Sequence, residues 1–284
     1  MMRTSPPALR RPARLPRPGP TLLASVAVAA LAACPGHASY PAPSSNTVEA
    51  VVARLAQARE TTRSFRGSSV MDYWLGKDRV KGAMLVMGSV GAKVRFNALS
   101  PAGESVMADL ACNGRDFVLV DFQNNCMLTG PCSRDSIAQL LRISLEPDDF
   151  LQLALGNTPV LEGATGTVTW DARLGHQVVD LASAQGSQHL EIDGRDGRWD
   201  VRFSELKDPS GAVVWRVAHT EFIDVKDAAG TPRRVPSKSR LEQPGQKADL
   251  LVEWDQQDVN PELDASRFEL VPPAGLPECG AKKP

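Results

Sequence analysis

The stretch AKVRFNA, residues 92–98, alternates apolar and polar side chains and decides the class of the fold. Val94 and Phe96 point to one face of an extended chain, and Lys93 and Arg95 point to the other. Because successive side chains of a β-strand project to opposite faces, the alternation predicts a strand with one buried face. Strands of this kind are typical of antiparallel sheets that are covered on one side.

Similar patterns lie on both sides of this stretch and are separated by turn residues such as Asn113-Gly114. The further predicted strands are 65–75, 80–87, 105–112, 117–122, 126–129, 166–170, 175–184, 187–192, 198–207, 212–225, 235–243, 248–257 and 267–271. We therefore expect a mainly β fold of the α+β class, built on a single strongly curved antiparallel sheet that covers residues 47–277 as one domain.

Two helical regions interrupt the strands. Residues 47–62 place apolar side chains at helical spacing, with Asn46 as the expected N-cap. Residues 133–156 contain two short helical stripes, where Pro147 suits the first turn of the second helix and Gly156 suits its end. We expect the N-terminal helix and this mid-chain helical pair to cap the sheet.

The net charge of −1 hides an uneven distribution. Residues 1–33 carry five arginines and no acid, so residues 34–284 hold 27 basic and 33 acidic groups, a net charge of −6. That acidic balance argues against nucleic acid as a partner. The apolar stretch 21–33 has 13 residues, fewer than the roughly 20 that span a bilayer as a helix. Residues 1–33 therefore have the pattern of a signal peptide.

The signal peptide ends in Leu31-Ala32-Ala33-Cys34, which resembles the lipobox of bacterial lipoproteins. The resemblance implies that Cys34 is acylated and that its acyl chains anchor the protein to a membrane. In that class an Asp after the cysteine retains proteins at the inner membrane, so Pro35 favours the outer membrane, on its periplasmic face. Residues 34–46 are expected to form a flexible tether. The alternative is an ordinary signal peptide cleaved beside a cysteine.

Four cysteines remain, and an even number in an exported chain predicts disulfides. Only five residues separate Cys126 from Cys132, so we favour a bond between these two and a second bond from Cys112 to Cys279. The second bond would staple the C-terminal tail, 278–284, to the body. Three pairings are open, and the spacing does not fit a four-cysteine zinc site.

The sequence offers little for catalysis. His176, His189 and His219 stand alone in strands, and no nucleophile elbow or metal-binding helix motif occurs in the sequence. An acidic cluster at 146–149 fits the positive end of a helix dipole. We therefore expect no enzyme, no cofactor and no metal site.

Apolar side chains are the remaining candidates for a functional site. The inward faces of the predicted strands supply enough of them to line a ligand cavity, although an ordinary core is an equal alternative. The candidate cavity residues are Val94, Phe96, Leu110, Phe117, Leu119, Trp199, Phe203, Trp215, Val217, Val252 and Trp254.

The stretch LDASRFELVPPAG, residues 263–275, resembles the closing strand of the LolA/LolB lipoprotein-carrier superfamily, with its Asp-x-x-x-Phe and Pro-Pro-x-Gly elements. The opening helix and the mid-chain helical pair are similar to that family as well. The resemblance implies an unclosed half-barrel of about eleven strands, capped by helices, which holds acyl chains in an apolar cavity. Four body cysteines depart from the family pattern. Residues Met84–Met87 are one candidate for a membrane-handover loop, although a place in the core of a strand is the favoured interpretation.

Together these observations predict a membrane-anchored envelope lipoprotein with LolB-like topology. It would bind a lipid or a lipoprotein acyl chain, in transport or in outer-membrane insertion. The alternative is a periplasmic interaction or sensor module of the same fold, with a protein partner and no transport.

Overall fold

The computed structural model describes residues 46–100, 103, 105–141, 143, 145–195 and 198–280. The predicted signal peptide 1–33, the lipidation site Cys34 and nearly all of the tether 34–46 lie outside these residues. No helix in the described part of the chain is long and apolar enough to cross a membrane.

Thirteen strands form one antiparallel sheet whose order is β6-β5-β4-β3-β2-β1-β13-β12-β11-β10-β9-β8-β7. The sheet is not closed, because β6 and β7 stand at its two ends. The first six strands are β1 (Ser64–Leu75), β2 (Asp78–Ser89), β3 (Lys93–Leu99), β4 (Val106–Asn113), β5 (Asp116–Asp121) and β6 (Cys126–Pro131). The others are β7 (Thr165–Asp171), β8 (His176–Ser183), β9 (Gly186–Asp193), β10 (Asp200–Lys207), β11 (Val213–Lys226), β12 (Pro232–Gln243) and β13 (Ala248–Val259). The predicted fold class is confirmed, with two more strands than the family resemblance implies.

The alternating stretch forms β3 as predicted. Val94 and Phe96 are completely buried, whereas Arg95 on the other face pairs with Asp109 of β4 at 2.7 Å. The candidate handover loop Met84–Met87 lies within strand β2, so it is part of the sheet.

In the described residues three α-helices accompany the sheet: α1 (Val48–Glu60), α2 (Arg134–Leu141) and α3 (Pro147–Ala154). The N-cap of α1 is Thr47 and not Asn46, because the Thr47 hydroxyl accepts a hydrogen bond from the Ala50 amide at 3.2 Å. Gly156 ends α3 as predicted, with a φ of +81° that favours glycine.

The buried apolar residues form two groups on this sheet. The α3 cluster contains the apolar face of α3, Ile137 of α2, and buried side chains of β1–β5 and β11–β13. The α1 cluster is smaller and comprises Val51, Leu55, Val179, Leu181, Leu190, Ile192 and Val201. The α1 cluster thus joins α1 to strands β8–β10, whereas the α3 cluster joins α2 and α3 to strands β1–β5 and β11–β13.

The last predicted strand, 267–271, is wrong. Residues Ala265–Phe268 form a short 3-10 helix, because the Asp264 carboxylate accepts the Ser266 amide at 2.8 Å and caps it. Pro272 and Pro273 follow and have no amide hydrogen to donate to a neighbouring strand. Phe268 is nonetheless buried, and its short helix lies against β3 and β4.

Candidate ligand-binding site

Helix α3 covers the sheet where apolar residues from its central strands converge. Six of its eight residues are buried. The Phe150 ring lies 4.9 Å from that of Phe96 and 6.3 Å from that of Phe65, measured between ring centroids. Pro147 occupies the first turn, where its missing amide hydrogen costs nothing. A short helix with so many buried positions depends on the sheet for its stability.

Polar contacts fasten the N-terminal end of α3 to other elements. The Asp148 carboxylate accepts the backbone amides of Ala92 at 2.8 Å and Gly91 at 3.3 Å, in the turn between β2 and β3. Asp149 pairs with Arg59 of α1 at 3.2 Å, and burial raises the pKa of Asp149. The acids do lie at a helix N-terminus, as predicted, and two of them also anchor this helix.

A second set of hydrogen bonds fastens the other end of α3. The Gln152 amide donates to the carbonyl oxygens of Arg59 and Thr62, both at 3.3 Å. The Asn157 amide donates to the Thr62 hydroxyl at 3.0 Å. Helix α3 is therefore joined to the end of α1 as well as to the sheet.

Under α3 lies a cavity of about 30 Å³ lined entirely by apolar surface. Its lining residues are Leu145, Phe150, Leu153, Ala154, Val217, Ser239, Leu241, Leu250, Val252 and Trp254. Ligand pockets usually measure roughly 300 to 1,000 Å³. The space beneath α3 is therefore largely filled in this conformation, and a ligand of ordinary size enters only if α3 moves.

One residue that lines the cavity and its pairing partner on the neighbouring strand each have a buried polar atom without a hydrogen-bond partner among the described residues. The two atoms are Oγ of Ser69 and Nε1 of Trp254, which belong to directly paired residues of β1 and β13. A Cβ at Gly67 would come within 3.1 Å of the Trp254 ring. The absence of a side chain at this glycine therefore leaves room for the indole against β1. Buried donors without a partner are costly, and a polar atom of a ligand would satisfy them.

Nine of the eleven predicted cavity residues belong to the α3 cluster: Val94, Phe96, Leu110, Phe117, Leu119, Trp215, Val217, Val252 and Trp254. Three of these, Val217, Val252 and Trp254, line the cavity itself. Trp215 lines a separate cleft beside Leu145 and Asp149. The other five are buried in the α3 cluster without lining the cavity, so the core interpretation describes most of the set.

The other two predicted residues lie elsewhere. Trp199 packs against the α1 cluster, where the Arg54 guanidinium stacks 4.1 Å from its ring centroid. Phe203 joins neither cluster and contacts His189 instead, at 6.1 Å between ring centroids. The pairing of β9 with β10 shifts by one residue between Val201 and Phe203. This bulge inverts the alternation, so the prediction that Phe203 points inward is wrong.

The site also contains residues that the sequence analysis did not assign to it. Phe150, Leu153 and Ala154 of α3 line the cavity, as does Leu145 just before the helix. Their helical spacing was visible in the sequence, but spacing shows only that a helix has an apolar face and does not show which strands it covers.

Among the three strand histidines, only His219 is deeply buried. It shares an inward face with Trp215 and Val217 and contacts the Ser239 hydroxyl at 2.8 Å. Burial lowers the pKa of His219 to about 3, and the nearby charge of Arg202 contributes in the same direction. His176 pairs with Glu191, and His189 with Asp180. No group of three or more metal-ligating side chains occurs in the described residues.

A larger and more polar cleft, of about 410 Å³, opens beside α1. Arg233 and Arg234 on its wall are paired with Asp227 and Asp200. Arg54 also lines it, and burial lowers the pKa of Arg54. This cleft has a charged lining, unlike the cavity under α3.

The structure corrects the favoured disulfide pairing. Cys126 is bonded to Cys279 across 153 residues of sequence, and Cys112 and Cys132 are free thiols. The Met127 amide donates to the Pro277 carbonyl, and the Cys279 amide donates to the Met127 carbonyl, both at 2.9 Å. The C-terminal segment thus lies along β6, so proximity in sequence was a poor guide to the pairing.

Comparison with known proteins identifies the fold. No protein-family model matches the chain, and no curated protein matches it. A DUF1329 family protein from Desulfovibrio piger is similar in structure, with a TM-score of 0.52 and 13% identity over 79% of this chain and 98% of that one. A LolA superfamily protein from Nitrosomonas europaea has a TM-score of 0.50 and 13% identity over 79% of this chain and 98% of that one.

A third similar structure is that of a Vibrio parahaemolyticus domain named for outer membrane lipoprotein sorting. It has a TM-score of 0.50 and 10% identity over 78% of this chain and 95% of that one. Each of these comparisons spans nearly the whole of the other protein and at such low identity concerns the fold alone. With its open antiparallel sheet covered by helices, the chain has the LolA/LolB-like fold.

Proposed function

We propose that this protein binds a lipid or a lipoprotein acyl chain beneath α3, and acts in lipid or lipoprotein transport or in outer-membrane insertion. The observation that carries the proposal is the cavity under α3, because its lining is entirely apolar and a short helix forms its cover. The similar Vibrio parahaemolyticus domain, which is named for lipoprotein sorting, agrees with this role.

The binding free energy in this proposal comes from apolar burial. Each methylene removed from water contributes about 0.8 kcal/mol, and α3 already shows that this wall of the sheet binds apolar side chains. An acyl chain would replace the contacts that Phe150 and Leu153 make when it displaces the helix. The unpartnered Ser69 hydroxyl and Trp254 indole would donate to a carbonyl oxygen of the ligand. No cofactor and no covalent step enter this function.

The location in the cell is part of the same proposal. The signal peptide 1–33 would direct export, and acylated Cys34 would anchor the domain at the outer membrane through the tether 34–46. The net charge of −6 after residue 33 argues against nucleic acid as a partner.

The alternative function, an envelope interaction or sensor module with a protein partner, is favoured by one observation. The space under α3 is filled in this conformation, so the fold is complete without a ligand. Native mass spectrometry of protein purified without detergent separates the two. Bound lipid supports the carrier, whereas protein that is always free of lipid supports the interaction module.

A matched pair of substitutions tests where the acyl chain binds. Val217→Phe narrows the apolar cavity under α3, and Val179→Phe adds the same volume inside the α1 cluster. Overpacking costs about 1 to 3 kcal/mol at either position. We expect only Val217→Phe to reduce the affinity for a fluorescent long-chain fatty acid, by tenfold or more. Equal affinities for the two folded variants would contradict binding beneath α3.

A further inference from the structure

Cys112 and Cys132 are the two described cysteines that the Cys126–Cys279 bond leaves free. Cys112 lies on β4 and Cys132 directly follows β6, with β5 between these two strands. The end of the β4–β5 hairpin brings them together. Cys112 pairs with Phe117 of β5, and the Cys132 amide donates to the Arg115 carbonyl at 2.8 Å.

Further contacts show that the two side chains share one space. Cys112 Sγ lies 3.3 Å from the Ser136 hydroxyl, which also accepts the amide of Ser133, the residue after Cys132. Cys132 packs against the α3 cluster, and Cys112 is a member of that cluster. The thiols also perturb each other. Their interaction raises the pKa of Cys112, which is buried, and lowers the pKa of Cys132.

We propose that Cys112 and Cys132 form a second disulfide, which ties the start of helix α2 to strand β4. Helix α2 begins at Arg134, two residues after this cysteine. The bond would fix one end of the α2–α3 segment to the sheet covalently, whereas Cys126–Cys279 fastens the C-terminal segment at β6. The inference stands on the cysteine positions and is independent of lipid binding.

Formation of the bond is a two-electron oxidation by a disulfide, for which oxidised glutathione serves as the probe. Cys132 is partly exposed and Cys112 is fully buried, so the Cys132 thiolate attacks the oxidant and expels one thiolate. Cys112 then loses its proton to that thiolate, attacks Cys132 Sγ and expels the second thiolate. Two S–H bonds of the protein and the S–S bond of glutathione disulfide break, and one S–S bond forms between Cys112 and Cys132. The two electrons and two protons leave as two thiols of glutathione.

Peptide mapping of the full-length chain tests the proposal. The protein is exported in a bacterial host, purified without reductant, treated with glutathione disulfide and alkylated while denatured. Trypsin places Cys112 on peptide 96–115, Cys126 and Cys132 on 116–134, and Cys279 on 268–282. We expect these three peptides in one linked species without alkylated cysteine. Alkylated Cys112 and Cys132 on the wild-type chain would overturn the proposal.

Cyanogen bromide determines the pairing in the wild-type chain. It cleaves the linked species after Met127, which lies between Cys126 and Cys132. The expected product joins the Cys112 segment to 128–134 and the Cys279 segment to the fragment that ends at Met127. An internal bridge in 116–134, or a bond from Cys112 to Cys126, would overturn the proposal.

Matched variants give an independent result. Cys132→Ser should leave Cys112 free for alkylation while 116–134 stays joined to 268–282. Cys126→Ser should free Cys279 and keep 96–115 joined to 116–134. The reverse outcome would contradict both assigned bonds.

Discussion

Helices α1 and α3 cover the same sheet in different ways. Helix α1 has 13 residues and buries only Val51 and Leu55, and the cleft beside it is lined by arginines. Helix α3 has eight residues, buries six of them, and covers an apolar cavity. The difference shows which of the two could act as a cover for a ligand. Movement of α3 away from the sheet would expose apolar surface that an acyl chain could bury again. The cleft beside α1 has a charged lining and is less suited to an acyl chain.

The largest expected effect comes from truncating the side chain that holds α3 to the sheet. Phe150→Ala removes ring contacts with Phe65 and Phe96, and should lower the free energy of unfolding by about 3 to 5 kcal/mol. Leu55→Ala in the α1 cluster should cost about 2 to 5 kcal/mol. Urea unfolding measures both losses.

The two truncations differ in what they expose. Only Phe150→Ala should increase the fluorescence of a bound hydrophobic dye in the folded protein, because it loosens the cover of the apolar cavity. If Leu55→Ala increases dye binding equally, the distinction between the two helices is lost.

A smaller effect on stability, which depends on pH, is expected from the buried residue His219. Burial lowers the pKa of His219 to about 3, whereas an unfolded histidine titrates near 6.5. Below pH 6.5 the unfolded chain therefore binds a proton that the folded chain does not bind, so stability falls as pH decreases. The slope approaches about 1.4 kcal/mol per pH unit between pH 6 and 4.5.

Urea unfolding across this pH range measures the slope. The range lies above the pH at which most carboxylates protonate. His219→Gln should remove most of it. His189→Gln replaces a half-buried histidine beside Asp180 and is the control, for which we expect the wild-type slope. An unchanged slope in His219→Gln would show that another group accounts for the pH dependence.

The smallest effect is expected from one polar anchor of α3. Asp148→Ala removes the acceptor for the Gly91 and Ala92 amides and should cost about 1 kcal/mol. Asp208→Ala removes a similar acceptor for the Ser210 and Ala212 amides in a different turn.

Hydrogen exchange distinguishes these two losses. We expect faster amide exchange across residues 147–154 only in Asp148→Ala. The same acceleration in Asp208→Ala would mean that α3 responds to global stability and is not held by this anchor.

The strands show which side-chain positions a local sequence pattern can predict. Alternation at 92–98 placed Val94 and Phe96 in the core correctly, because a half-buried strand has a side-chain period of two. The same reasoning failed at Phe203, where a bulge shifts the register with β9. It also failed at 267–271, where the Asp264 cap favours a 3-10 helix over pairing. Hydrogen bonds to neighbouring groups decide such positions, and a run of residue types does not specify them.

The sequence alone determined the fold class, the helical regions and the burial of nine of the eleven candidate cavity residues in the α3 cluster, because periodicity and turn chemistry are local properties. Only the tertiary structure decided that α3 fills the space over the apolar face of the sheet, since this depends on which strands the helix contacts. It likewise decided that Cys126 bonds Cys279, 153 residues away, and not its near neighbour Cys132. A disulfide requires two sulfur atoms to meet in space, and only the folded sheet brings those two together.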